Sequence, residues 1–229
     1  KKVKGIVTNG ETILSDYVVS NLDVFFVYKN LLKNESFSKK IAAQERSTSA
    51  LIFYWGINAS FPALDLHNIF FSDNYTKEFE ALESAQTIYD DPTVYVNITS
   101  KKKPSDAPEN CENWFVMINV PSVESQDWDK LITKARASII EKLNRQLNID
   151  VASLILTEEI LDPILIESKT GSYKGSLYGT ASNKKMAAFF RHPNFSSDIG
   201  GMYFCGGSVH PGGGIPLALS SAKIVDGFF

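Results

Sequence analysis

Apolar residues recur along this chain in two rhythms, one with the period of a strand and one with the period of a helix. Ser49 to Ile57, Asn68 to Phe71, Thr93 to Thr99 and Asn113 to Val120 are runs rich in aromatic and β-branched residues, separated by polar or proline-containing loops. Such runs predict strands. Leu154 to Leu161 predicts one more. The helical rhythm is clearest from Asp127 to Leu147, where Trp128, Leu131, Ile132, Ala135, Ile139, Leu143 and Leu147 share one face and Lys and Arg occupy the others. Asn74 to Ser84 carries a shorter helical pattern. Asp162-Pro163 supplies an N-cap followed by proline in the first turn, and Gly171 supplies the stop.

The opening of the chain predicts a hairpin. Lys2 to Thr8 forms the first strand, Asn9-Gly10 a turn whose two central positions need φ > 0, and Ile13 to Val19 the return. From Asn21 to Leu32 a helix is expected, with Leu22, Phe25, Phe26 and Leu32 as its apolar stripe. The chain starts at Lys1-Lys2 inside a predicted strand, which reads as a cut through a domain. Strands and helices in irregular order predict an α/β or α+β fold.

Past Gly171 the pattern changes. Eleven of the 14 glycines lie between Gly171 and Gly227. The densest stretch runs Met202 to Cys205 as a short strand, Gly206 to Gly214 as a loop nearly without side chains, and Ile215 to Phe228 as a helix with Pro216 in its first turn. A strand, a glycine loop and a helix N-terminus together present free backbone N–H groups and a positive dipole end to an anion or planar ring. A tight turn packing a helix onto a strand explains the glycines equally well. The stretch is neither G-x-G-x-x-G nor a P-loop.

Composition narrows the classes. The 229 residues carry a net charge of −3, without the basic excess of a nucleic-acid binder. Cys111 and Cys205 have no metal-ligand spacing and cannot form a disulfide framework, and His67 and His192 are too isolated to ligate, so no metal is expected. The longest apolar run, Ala50 to Ile57, falls far short of the roughly 20 residues of a spanning helix. His210 could act as an acid or base, but a loop histidine orienting backbone is the expected role. Asp16 and Asp23 suit turns or caps, and Cys205 a small apolar position. Lys39-Lys40 and Lys101-Lys102-Lys103 read as solvated loops, with contact to anionic lipid as the alternative. The aromatic clusters Phe25-Phe26, Phe53-Tyr54-Trp55, Phe70-Phe71 and Phe189-Phe190 are mostly core, and half of each could face an apolar tunnel.

Met202 to Leu217 resembles the C-terminal signature of phytoene-desaturase-type carotenoid oxidoreductases, where a strand ending in Gly-Gly or Gly-Ala precedes a His-Pro-Gly-x-Gly-Ile-Pro loop. Lys2 to Asp23, Leu66 to Asp73, Asp91 to Val96 and Ala107 to Val120 resemble other parts of that family, in order. Arg191-His192-Pro193-Asn194 resembles its Arg-Pro element, with His192 splitting the pair. The resemblance implies FAD as cofactor and an apolar carotenoid as substrate. It implies a flavin site at Gly206, Gly207, His210, Pro211, Gly212, Gly213, Gly214, Ile215, Pro216 and Leu217, with no catalytic residue assigned. It also implies a fold of two parts. Residues 1–34 and 169–229 would belong to a Rossmann-like FAD domain, and residues 35–168 to a substrate domain with a mixed or antiparallel sheet covered by helices. The family's N-terminal dinucleotide fingerprint is absent, so weak or no FAD binding is expected of these residues alone. A cytoplasmic protein, peripheral on the inner membrane surface and able to self-associate through the face its missing half would cover, completes the expectation. An isomerase or saturase, or a prenyl-lipid carrier, is the alternative within the same fold.

Overall fold

The structure, a computed structural model, describes residues 1–181 and 191–229. Phe189-Phe190 lie outside the described residues. The chain divides into two compact units, Lys1–Ser47 with Glu167–Phe229, and Thr48–Ile166. Its architecture is mixed α/β.

The second unit is built on an antiparallel sheet of β4 (Ser49–Ile57), β5 (His67–Phe70), β6 (Val94–Asn97), β7 (Glu112–Val120) and β8 (Ile155–Leu161). Their spatial order is β5-β6-β7-β4-β8. Period-two alternation sorts the side chains. Phe53 pairs with Val116, and Trp55 with Trp114, on the buried face. Helix α4 (Trp128–Leu147) covers that face with Trp128, Ala135, Ile139 and Leu143, all buried in one core with the sheet. Asp127 caps α4 by accepting from Lys130 N–H, and Asn148 ends it in the left-handed region at φ 55°. Helix α3 (Tyr75–Glu83) is capped likewise by Asn74, which accepts from Lys77 N–H. Asp162 caps α5 (Pro163–Thr170) through Leu165 N–H.

The first unit departs more from expectation. β1 (Gly5–Thr8) and β2 (Glu11–Leu14) form the hairpin, with Asn9 at φ 51° and Gly10 at φ 81°. The return strand stops at Leu14, and β3 (Val18–Ser20) is a separate strand pairing parallel with β9 (Met202–Phe204). The break falls where the Ser15 hydroxyl donates to Tyr17 O, a local turn that competes with the ladder. The helix expected from Asn21 shrinks to α1 (Val24–Phe26) and then widens into a π-helical turn over Val27–Leu31. Helix α2 (Glu35–Ala42), not anticipated, follows an Asn34 cap that accepts from Phe37 N–H. Lys39 and Lys40 lie on this helix rather than in a loop. Val24, Phe25, Val27, Tyr28 and Ile41 pack with Met202, Phe204 and Val209 into the core of this unit. Helix α6 (Ile215–Asp226) closes the chain.

Candidate functional site

The glycine-rich segment hangs from the parallel β3–β9 pair. Beyond the ladder, Cys205 N–H donates to Ser20 O at 2.9 Å, and the chain then turns at Gly206 with φ 106°. Buried Ser221 on α6 reaches back, its Oγ accepting from Gly206 N–H at 3.1 Å and from Asn194 Nδ2 at 2.8 Å. The same Asn194 amide donates to Phe204 O and His210 O, so one side chain ties strand, loop and helix. Ser208 is buried and its Oγ accepts from Val24 N–H at 3.2 Å. His210 N–H donates to His192 O, and the His210–Pro211 peptide is cis.

The glycines serve different ends. A Cβ on Gly212 would lie 3.1 Å from Arg191 Nε, and one on Gly213 would lie 2.3 Å from the Tyr178 ring. Protein side chains therefore claim the space at these two positions. Among the described residues, Gly207 meets only the Gly213 backbone and Leu177 O, at 3.4 Å or beyond. Gly206 and Gly214 are different again. Among the described residues, the nearest atom to a Cβ on Gly206 is Asn21 O at 3.7 Å, and nothing lies within 4 Å at Gly214. Gly214 is also the N-cap of α6, and among the described residues no side chain caps that helix. Its first turn leaves backbone N–H groups for a polar partner outside the helix. Ile215, Pro216 and Leu217 are exposed on that turn, as is His210, while Pro211 is half-buried.

Two buried arginines stand behind the loop. Arg46 pairs with Asp23 and donates from Nε and Nη2 to Ser176 Oγ. Asp23 also caps α1 through Phe25 N–H and accepts from Tyr173 N–H, which fits the capping role read from sequence. Arg191 donates from Nη1 to Gly207 O at 3.1 Å and Tyr178 O at 2.8 Å, and from Nη2 to Thr180 O at 2.7 Å. Burial, and then the neighbouring charge of Arg46, pulls Arg191 below its ordinary pKa. Sequence reading placed Arg191 in a family element but missed its work as a clamp on the loop. Burial also raises the Cys205 thiol, which suits an unreactive packing role. His192 is held low, chiefly by burial; its Nε2 lies 3.1 Å from Tyr28 Oη, and Nδ1 lies 2.7 Å from Pro193 O.

In the second unit, the sheet face opposite α4 carries a band of aromatic rings. Tyr54 and Phe115 meet edge to face at 5.5 Å between centroids, and Phe115 and Tyr95 at 6.2 Å. A cavity of about 590 Å³ opens on this face, with Tyr54, Phe115, Asn97, Thr157 and Glu159 in its lining. In the lysine run beside it, Lys102 and Lys103 are exposed as expected and Lys101 is drawn inward. Lys101 donates to buried Glu112 and to Phe61 O, each at 2.6 Å, while Lys102 pairs with Asp65 and Lys103 with Asp106.

Among the described residues, no group of His, Cys, Asp and Glu could hold a metal, and no helix is long and apolar enough to cross a membrane.

No protein-family model matches the chain. Individual relatives do. The chain is 58% identical over 97% of its length to a 1-hydroxycarotenoid 3,4-desaturase of Flavobacterium sp. (strain P99-3), of which it covers 46%. It is 32% identical over 98% of its length to the phytoene desaturase of Fusarium fujikuroi, covering 43% of that protein. A 4,4'-diapolycopene oxygenase of Methylomonas sp matches at 34% identity, over 95% of this chain and 44% of the oxygenase. An oxidoreductase from Methanosarcina mazei has the same fold, with a TM-score of 0.56 at 14% identity, covering 98% of this chain and 46% of that one. The chain thus spans less than half the length of each of these relatives. Over nearly all of its 229 residues, the chain is related to the C-terminal part of the carotenoid and phytoene desaturases.

Proposed function

We propose that these residues are the C-terminal half of an FAD-dependent carotenoid desaturase. The unit containing residues 205–217 would serve the flavin, and the unit Thr48–Ile166 the substrate. The observation that carries this reading is the 58% identity to a carotenoid desaturase across 97% of the chain.

The geometry supports it. Gly214 leaves open space beside the backbone, Gly206 meets Asn21 O at 3.7 Å, and the first turn of α6 offers N–H groups and a positive dipole end. These features fit a planar, polar-edged ring system or its phosphate tail. Residues 206, 207, 210, 211 and 214–217 would line it, with Gly212 and Gly213 letting Arg191 and Tyr178 pack close behind the loop. Arg191 would fix the loop by holding Gly207 O, and Tyr178 would back Gly213. When bound, a flavin supplies a two-electron acceptor for the hydrogen removed from the substrate. The protein's share is to align the polyene and keep water away from it. The aromatic band of Tyr54, Phe115 and Tyr95 suits a long flat hydrocarbon, because such a substrate gains by leaving water. No acid or base is required of His210, whose side chain is exposed.

A substrate that water does not dissolve must come from lipid. We therefore extend the proposal to peripheral contact with a membrane. Exposed apolar side chains such as Val7, Leu14, Ile215 and Leu219 are available for that contact or for self-association. Cosedimentation with lipid vesicles is the expected result, and full recovery in the vesicle-free fraction would contradict it.

Product analysis tests the activity. Full-length enzyme carrying these residues should convert an acyclic carotenoid into a product that absorbs at longer wavelength, has lost hydrogen and has gained no oxygen. Geometric isomers of unchanged composition, or products with added oxygen, would refute the desaturase reading.

A further inference from the structure

Along the strands, the open face of the five-stranded sheet changes from apolar to polar, and the change is regular. Cross-strand register sets its rows. The first row is Leu161, Ile52, Met117, Tyr95 and Ile69, which has no charged side chain. The next is Glu159, Tyr54, Phe115, Asn97 and His67. The third is Thr157, Gly56 and Asn113. The cavity reaches Thr157, Gly56, Asn113, Glu159 and Asn97, so it lies over the polar end of this face.

The polar end is built in layers. Asn113 accepts from Ser100 N–H at 2.9 Å and donates from Nδ2 to Thr99 Oγ1 at 2.7 Å, and Thr99 donates onward to Asp106 at 2.6 Å. These groups are occupied with one another and form a fixed floor. Thr157 is placed differently. A Cβ on Gly56 would lie 2.5 Å from Thr157 Oγ1, so the absent side chain at Gly56 makes room for that hydroxyl on the sheet. Two positions along β8 on the same face stands the exposed carboxylate of Glu159, opposite Tyr54. One hydroxyl that can donate and accept, beside one carboxylate that accepts, matches what an alcohol needs.

We propose that this cavity receives the hydroxylated terminus of the polyene. The ligand's hydroxyl would bond to Thr157 Oγ1 and Glu159, and its hydrocarbon would run along the row of Tyr54 and Phe115 toward Ile52 and Met117. The proposal rests on the carotenoid-desaturase reading and adds to it a residue-level basis for choosing hydroxylated over plain end groups. A site built to hydrogen-bond a hydroxyl discriminates because its polar groups lose their partner with the plain hydrocarbon.

The test compares a 1-hydroxycarotenoid with the same carotenoid lacking the hydroxyl, both presented in detergent micelles to full-length enzyme. Binding is read from the shift in polyene absorbance, and turnover separately from product. The wild type should bind the hydroxylated compound better. Thr157→Val and Glu159→Leu should each reduce that preference about tenfold, the scale of one lost hydrogen bond to a charged or neutral partner. Both should tighten binding of the plain compound, because no polar group is then left without a partner, and Glu159→Gln should restore part of the preference. Both side chains are exposed, so folding is not at stake. An unchanged preference in both variants, or no preference in the wild type, overturns the subsite. Preferential binding lost in the variants, but with no desaturation by the wild type, would uphold the subsite and overturn the desaturase reading instead.

Discussion

At the scale of single residues, the first unit depends on buried polar groups that hold backbone in place. Asp23 illustrates the point: it caps α1, meets Tyr173 N–H and pairs with Arg46, whose side chain is almost wholly buried. Removing one partner of such a pair leaves a charge buried without its counter-ion. Asp23→Ala should therefore lower stability by about 3–5 kcal/mol in chemical denaturation, and a loss under 1 kcal/mol would contradict this account of the pair. His192 gives a prediction in pH. Burial holds it below its ordinary value of 6.5, so the unfolded chain takes up a proton more readily than the folded one. Stability from this group is complete above pH 6.5 and declines as pH falls through the folded-state titration. Melting temperatures followed downward from neutral pH should fall more for wild type than for His192→Gln. Equal slopes would show that His192 does not carry the dependence. Only the cap was legible beforehand. Asp23 could be read as a cap, since an Asp before an apolar run is a local signal. Its pairing with Arg46 is made in space and leaves no trace in the local pattern.

At the scale of elements, legibility followed locality. The β4 bounds Ser49–Ile57 and the α4 bounds Trp128–Leu147 were readable because each segment repeats its own period over many residues. The Asn9-Gly10 turn was readable because its backbone conformation demands those residues. The region after Asn21 was not. Its apolar stripe predicted a continuous helix, yet α1 gives way to a π-helical turn so that Val24, Phe25, Val27 and Tyr28 all reach the core with Met202 and Phe204. A widened turn rotates side chains in a way the 3.6-residue period does not describe. The long α4 supplies a test of the packing. Ile139 is fully buried between helix and sheet, and Ile139→Ala should cost about 2–5 kcal/mol by calorimetry or denaturant titration. A change below 0.5 kcal/mol would mean that α4 does not cover the sheet as described. Within the glycine loop, and among the described residues, only Gly214 has nothing within 4 Å of where a Cβ would stand, a distinction that a count of glycines cannot make.

At the scale of the whole molecule, two units carry complementary features. One presents a glycine loop clamped by Arg191 in front of helix α6, and the other an aromatic sheet face that turns polar at one end. The motif from Met202 to Leu217 made the first legible. The second was foreseen only as aromatic clusters, Phe53-Tyr54-Trp55 among them, half of which could face a tunnel, because assigning residues to a face requires the register of five strands. The measurement that tests the central claim most directly is an anaerobic half-reaction with full-length enzyme. Flavin absorbance and polyene absorbance are followed together after an acyclic carotenoid is added. The account predicts that the flavin band bleaches as the polyene band moves to longer wavelength, in equal stoichiometry. A protein that neither carries flavin nor takes it up on reconstitution, or a flavin band that stays oxidised while the polyene is unchanged, would contradict it.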